Sequence, residues 1–270
     1  MTDATRQQRR REMREQIKAG RALLGKGLSL QPKASEIAAV AMVIKSKLEE
    51  AGNVRRAGEA AEMAQSLVET SLAARPPTVQ KIVCAKGCAY CCHTFVAITP
   101  PEAFRLADAV RSGRAAGMTA DAVRSRGAPL VGVQPGERIG RKLACPLLVD
   151  GACSVYRHRP LACRQATSLD LAACVDEFEG RNLTARIPIS GAYLNHSSNA
   201  HITLLGAMRA AGLPTTSFEL AGALEVALTM PDAEARWLAG EDVFRDAQRP
   251  GPREAQAEKA IQLIADGLVG

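Results

Sequence analysis

A chain of 270 residues, 47% of them hydrophobic and with a net charge of +7, can bury a sizeable core in one large domain or two smaller ones. Aromatic residues make up only 3% and alanine is abundant, which disfavours a sheet sandwich and favours helix on helix. No run approaches the roughly 18 apolar residues of a membrane span. The N-terminus MTDATRQQRRREMREQIKAG lacks the apolar centre of a secretory signal, so a cytoplasmic protein with no membrane partner is expected.

Residues 3–24 predict a basic helix in which Met13, Ile17 and Leu24 are too sparse to demand burial. Residues 1–26 hold eight Lys/Arg against three Asp/Glu. Such a run reads as a solvated face. It has no interleaved aromatics and no base-reading motif, so nucleic acid is not an expected partner, and no protein partner is indicated. Ile37, Val40, Ala41, Ile44, Leu48 and Ala51 then fall at the three-and-four spacing of an amphipathic helix, with Gly52 and Asn53 at its end. Val54, Ala57, Ala61, Ala64, Leu67, Val68 and Leu72 resume the pattern, and Pro76 and Pro77 close a helical hairpin.

A middle segment follows with a different texture. Thr99-Pro100-Pro101-Glu102 has the form of a capping box with proline in the first turn. It predicts a helix from Pro100 to Ser112 with Phe104, Leu106 and Val110 to bury. Residues 127–144, rich in Gly and Arg, read as a loop. Beyond, Leu194, Ile202, Leu205 and Met208 mark a helix stopped by Gly212 and Pro214, and Leu220, Leu224 and Leu228 mark another stopped by Pro231. A last helix is expected over 253–268. Strands and helices do not alternate regularly anywhere. The predicted fold is mostly α, with helices packed around an irregular, metal-tied, cysteine-rich core. Three regions are expected: helical 1–79, cysteine-rich 80–175 and helical 176–270.

All eight cysteines lie between 84 and 174. Reduced thiols at this density read as metal ligands rather than disulfides. The first group is Cys84-x3-Cys88-x2-Cys91-Cys92, and the second is Cys145-x7-Cys153-x9-Cys163-x10-Cys174. Short loops bring several thiolates to one point at small entropic cost. Asp150-Gly151 and Pro160 give the second group places to turn back. Four thiolates suit tetrahedral zinc and equally a [4Fe–4S] cluster, so the expected metal is zinc or iron. Adjacent Cys91 and Cys92 diverge in most backbone conformations. The two groups are therefore expected to converge on shared sites. His93 and His158 are weaker ligand candidates, and Tyr156, Arg159 and Arg164 read as structural groups around the thiolates, the two arginines reaching sulfur or carbonyl oxygen.

Cys84, Cys88, Cys91 and Cys92, then Cys145-Pro146-x-Leu148, then Cys153-x-Val155-Tyr156-x2-Arg159-Pro160-x2-Cys163-Arg164, closely resemble the YkgJ-type cysteine-cluster family, also called the CxxCxxCC zinc- or iron-chelating domain. The resemblance covers residues 80–175 and implies metal binding without implying a reaction. Cys174 joins the ligand set by spacing alone. Two catalytic readings stand beside chelation. Cys84-x3-Cys88-x2-Cys91 with Tyr90 before the last Cys matches the three-cysteine signature of radical S-adenosylmethionine enzymes, but the βα alternation of their barrel is missing. A flagellin lysine methylase shares this type of cluster, so a methylating iron–sulfur enzyme is an alternative by analogy.

Overall fold

A computed structural model describes residues 3–74, 81–85, 87–181, 186–251 and 255–269. The N-terminal part comprises α1 (Asp3–Lys26), α2 (Ala34–Leu48) and α3 (Arg56–Ala74). The middle holds β1 (Ala97–Ile98), α4 (Pro100–Arg111), α5 (Ala120–Gly127), α6 (Pro135–Gly140), β2 (Leu148–Val149), β3 (Ala152–Cys153), α7 (Leu161–Gln165) and α8 (Leu171–Phe178). The C-terminal part comprises α9 (Gly191–Ala210), β4 (Phe218–Glu219), α10 (Leu220–Thr229), α11 (Ala233–Leu238) and α12 (Ala255–Val269). The mostly helical expectation is met. Among the described residues the sheets are two antiparallel pairs, β1 with β4 and β2 with β3. That is not the sheet of a βα barrel. No described helix is long and apolar enough to cross a membrane.

Helix α9 lies at the centre. It packs on α2, α3, α7 and α12 through buried Ala200, Leu204, Leu205, Ala207 and Met208. Small residues let the helices approach. Ala57, Ala60, Ala61 and Ala64 are fully buried on α3, which packs on α4 and α9. The core joins residues from Leu28 to Leu268, so all three expected regions contribute to it. The few aromatics are concentrated: Phe104 lies 5.8 Å from Trp237 and 5.5 Å from Phe244, and Phe218 lies 5.1 Å from Phe244. Phe104, Leu106 and Val110 are all buried, and α4 ends one residue before the expected Ser112.

Three readings need correction. The end of α1 is not a bare solvated helix: Ile17, Leu23 and Leu24 pack against the core. Gly20 sits so close to α2 that an added Cβ would stand 2.1 Å from the Ala39 carbonyl oxygen. Residues 127–144 are not a plain loop, because a 3-10 turn at Ala128–Leu130 and α6 lie within them. Gln134 opens α6 with its N–H donating to Glu137 Oε2 at 3.1 Å, and Pro135 occupies the first turn. Arg138 of α6 is 1% exposed and pairs with equally buried Glu219 at 2.8 Å. The other Glu219 oxygen accepts the Ala221 and Gly222 amides, capping α10. The third correction is to the cysteine segment, expected to be loop-rich at both ends: its C-terminal end carries helices α7 and α8, whereas the first end has only a 3-10 turn at Tyr90–His93 among its described residues. Pro76 and Pro77 lie outside the described residues.

The contact at Gly20 makes a direct prediction. Gly20→Ala should push α1 off α2 and cost about 1–3 kcal/mol, the range for overpacking a tight contact. The measurement is urea unfolding of the full chain. A variant at least as stable as wild type would show that α1 does not dock as described.

Candidate metal centre

The first cysteine loop is held from both ends. The Val83 N–H donates to the Ser168 carbonyl at 3.0 Å, and the Ser168 N–H donates to Cys84 Sγ at 3.3 Å. A turn with Gly87 at φ +92° brings the Cys88 N–H to the Ala85 carbonyl at 3.0 Å. A 3-10 turn over Tyr90–His93 then carries Cys91 and Cys92. Phe178 of α8 anchors that turn, 5.4 Å from Tyr90 and 4.8 Å from His93. His93 Nδ1 lies 3.1 Å from the Ala89 carbonyl oxygen. A carbonyl only accepts, so this nitrogen carries the proton and the ring is fixed against α8.

The second loop is tied directly to the first: the Cys145 N–H donates to the Cys92 carbonyl at 2.7 Å. The chain then enters the β2–β3 hairpin, whose two-residue turn is Asp150 at φ 47° and Gly151 at φ 72°. Both are left-handed, as a type I′ hairpin turn requires. The register pairs Leu148 with Cys153, folding Cys153 back toward Cys145. Pro160 precedes α7, which carries Cys163, and the Leu161 N–H donates to Glu102 Oε1 at 2.8 Å. Cys174 lies on α8, capped by Asp170 accepting the Ala173 amide at 3.2 Å.

These elements enclose a cavity of about 840 Å³ lined by six cysteines, Cys88, Cys91, Cys92, Cys145, Cys153 and Cys163, with Phe95, Val96, Leu147 and Leu220 among its apolar walls. Cys84 and Cys174 stand beside it around Ser168. All eight cysteines are free thiols. Among the described residues no three His, Cys, Asp or Glu side chains already converge tightly enough to hold a metal ion. The metal tie expected of the core is therefore not displayed; what is displayed is six of the eight cysteines lining one cavity.

Charge and hydrogen bonding around the thiols fit a thiophilic metal. Cys92 hydrogen-bonds to Cys91, which brings the Cys91 thiol down to about 7 and pushes Cys92 up. Burial raises Cys145 to about 12 and raises Cys163 well above the ordinary thiol value. Burial likewise raises Cys88, Cys153 and Cys174. Arg159 counters this, drawing Cys91, Cys153 and Cys163 downward. Its guanidinium stacks 4.0 Å over Tyr156. Arg159 Nε is buried with no hydrogen-bond partner among the described residues. Arg164 is spent differently. It donates to the Arg159 and Arg157 carbonyls at 2.9 and 2.8 Å and pairs with Glu69, which makes it a strut for the loop.

His158 is set apart. Its Nδ1 is buried without a partner among the described residues, and its proton is held loosely because burial, then Arg105 and Arg114, disfavour its charge. The cavity lining does not include it. Sequence reasoning missed Ser168, whose backbone contacts the first loop, and the second role of Glu102. Nothing in spacing points to Ser168.

Residues 83–183 match the model of the CxxCxxCC family, described as "putative zinc- or iron-chelating domain". The match includes all eight cysteines and leaves α1–α3 and α9–α12 outside it. No curated protein and no solved structure matches the chain.

The thiol shifts set a pH dependence. For raised thiols, the folded state of the metal-stripped chain prefers the proton, so their contribution is complete below the ordinary value of 9.0. It is lost as pH climbs toward the folded value, about 12 for Cys145. Cys91, lowered to about 7, acts in reverse, and its contribution fades as pH falls through that value. Six raised thiols outweigh one lowered thiol. The stripped chain should therefore melt at lower temperature at about pH 10 than at about pH 8, read by circular dichroism. Equal melting at the two pH values would mean that the thiols are solvated.

Proposed function

We propose that the segment from Cys84 to Cys174 chelates zinc or iron through cysteine thiolates drawn from both cysteine groups. The observation that carries this reading is the cavity itself: three of its cysteines come from the first loop and three from the second. The family match to residues 83–183 supports the same chemistry. Thiolate sulfur is a soft ligand suited to zinc and to iron–sulfur clusters. The expected ligands are Cys84, Cys88, Cys91, Cys92, Cys145, Cys153, Cys163 and Cys174.

Charge balance supports it further. A divalent zinc on four thiolates carries a net −2, as does an oxidised [4Fe–4S] cluster with four thiolates, so charge does not choose the metal. Either centre gains from a cation beside it. Arg159 supplies one: it lines the same cavity and its charge draws Cys91, Cys153 and Cys163 downward. Residues 84–174 as a whole carry twelve Lys/Arg against six Asp/Glu, an excess that ionised thiols would offset. What the metal supplies when bound is a cross-link between two loops; the residues supply its ligands and its counter-charge.

Anaerobic purification with elemental analysis and an absorption spectrum tests this. Stoichiometric zinc in a colourless protein, or iron with acid-labile sulfide and visible charge-transfer absorption, is the expected result. Preparations that hold neither metal would overturn the reading. Structural metal sites supply on the order of 10 kcal/mol of folding free energy, comparable to the whole stability of a domain. Chelation with EDTA should therefore abolish hydrogen-exchange protection in the cysteine loops, residues 84–95 and 145–174, while α2, α3, α4 and α9, which share a buried helical core, stay protected. Uniform loss over the whole chain would contradict that division.

A further inference from the structure

The cavity beside the cysteines is larger than a metal centre needs. A zinc ion takes less room than a water molecule, whose share of liquid volume is about 30 Å³. At that share per atom, an eight-atom [4Fe–4S] cube takes about 240 Å³. The cavity measures about 840 Å³, and sites for small organic molecules run from about 300 to 1,000 Å³. Much of its wall is apolar and fixed. Leu147, Val155 and Leu220 are buried, and Phe95 and Val96 line the same space. The Val96 carbonyl accepts the Leu220 N–H at 3.0 Å, and the Leu147 carbonyl accepts the Ser154 N–H at 2.9 Å. These walls cannot close on a small ion without breaking backbone hydrogen bonds.

The edge of the cavity has its own character. Tyr156 is 58% exposed and Ile189 is 41% exposed, and both belong to the lining. Large apolar side chains left in water and continuous with an apolar cavity mark a place where a ligand covers them. Two arginines line the same space. Arg159 is half-buried and stacked over Tyr156, whereas Arg157 is exposed. Neither forms an ion pair among the described residues, in contrast to Arg164, which pairs with Glu69. A guanidinium beside an apolar space suits a carboxylate, which it holds with two parallel N–H donors.

We propose that this cavity binds one amphiphilic monocarboxylate, its aliphatic or aromatic body against Phe95, Leu147 and Leu220 and its carboxylate on Arg157 at the mouth. Charge sets the orientation: a carboxylate placed deeper would meet the negative thiolates, while an apolar body there meets none. Arg159 remains the cation of the thiolates. The inference goes beyond chelation, since it uses the walls that a metal leaves uncovered and does not depend on which metal is bound. Binding forms and breaks no covalent bond.

The test is calorimetric titration of the full chain, purified anaerobically with its metal content measured on the same sample. Octanoate is the probe. Acetate, which lacks the body, and octyltrimethylammonium, which reverses the charge, are the controls. One octanoate per chain is expected, with no binding of either control. Arg157→Gln should weaken octanoate about tenfold, as loss of a charge-assisted hydrogen bond does. Ala166→Trp, at an exposed position of the lining, should block the mouth and abolish binding, and both variants should keep the wild-type metal content. Failure of octanoate to bind, equal binding of octyltrimethylammonium, or wild-type affinity in both variants would overturn the proposal. Wild type that binds octanoate but holds neither zinc nor iron would overturn chelation and leave the carboxylate site standing.

Discussion

Glu102 places one carboxylate oxygen on Thr99 and the other on Leu161, and that double attachment fixes how the two cysteine loops meet. Oε2 accepts both the Thr99 amide and the Thr99 hydroxyl at 2.9 Å, closing the N-terminus of α4. Oε1 accepts the Leu161 amide at 2.8 Å, at the start of the helix that carries Cys163. The residue is 1% exposed. A carboxylate buried alone would be very costly, but three donors on two oxygens satisfy most of its capacity. Thr99 follows β1, and β1 follows the first cysteine loop. The path from Cys92 to Cys163 therefore closes through one side chain in the helical core, with no metal needed to set the approach. On the far wall, Glu219 pairs with buried Arg138 and caps α10. β4, which contains Glu219, pairs with β1.

The thiols face a conflict that this scaffold leaves unresolved in the protonated state. Burial raises most of them, which resists the ionisation that a metal requires. Arg159 works the other way, and its unpartnered Nε is a donor whose natural acceptor would be a thiolate. Removing protons from buried thiols without a cation would leave several negative charges in one apolar cavity. Taking up a divalent metal as the protons leave removes that cost, so affinity should depend steeply on pH. The cavity's apolar walls strengthen the dependence, because lower polarity magnifies both the repulsion and the attraction.

Much of this was legible in the residues, and what was not has identifiable causes. The long helices followed from three-and-four periodicity, which reports burial on one face directly. Thr99 to Glu102 announced α4, and Asp150-Gly151 announced the hairpin, because both are local signals whose geometry does not depend on distant chain. The cysteine set was equally plain. α6, α8 and α11 were not, since each is six or eight residues long and is held by contacts from elsewhere. Arg138 counted as evidence for a loop because an isolated arginine belongs in water; only Glu219, far along the chain, explains its burial. Gly20 was silent for a similar reason. A glycine on a helix signals close approach only when the neighbour is known, and Ala39 lies across a loop. Ser168 carries no motif, and its contacts with Val83 and Cys84 are mostly backbone ones.

The division of labour between helices and cysteines follows from energy scales. Helices α2, α3, α4, α9 and α12 bury alanine and leucine faces on one another, and that core draws on residues from Leu28 to Leu268. It needs no metal. The cysteine loops have few apolar residues to bury, half-buried thiols and one two-stranded hairpin, and a two-stranded ribbon is marginal by itself. Such a segment can be ordered by being clamped at several points. Glu102 at Leu161, Arg164 at the Arg157 and Arg159 carbonyls, Phe178 at Tyr90 and His93, and Cys145 at Cys92 are those points. None of them uses a thiol side chain. The fold spends mainly amides, carboxylates and rings on holding the loops, with Cys84 Sγ accepting the Ser168 amide beside them, and six of the eight cysteines line one cavity.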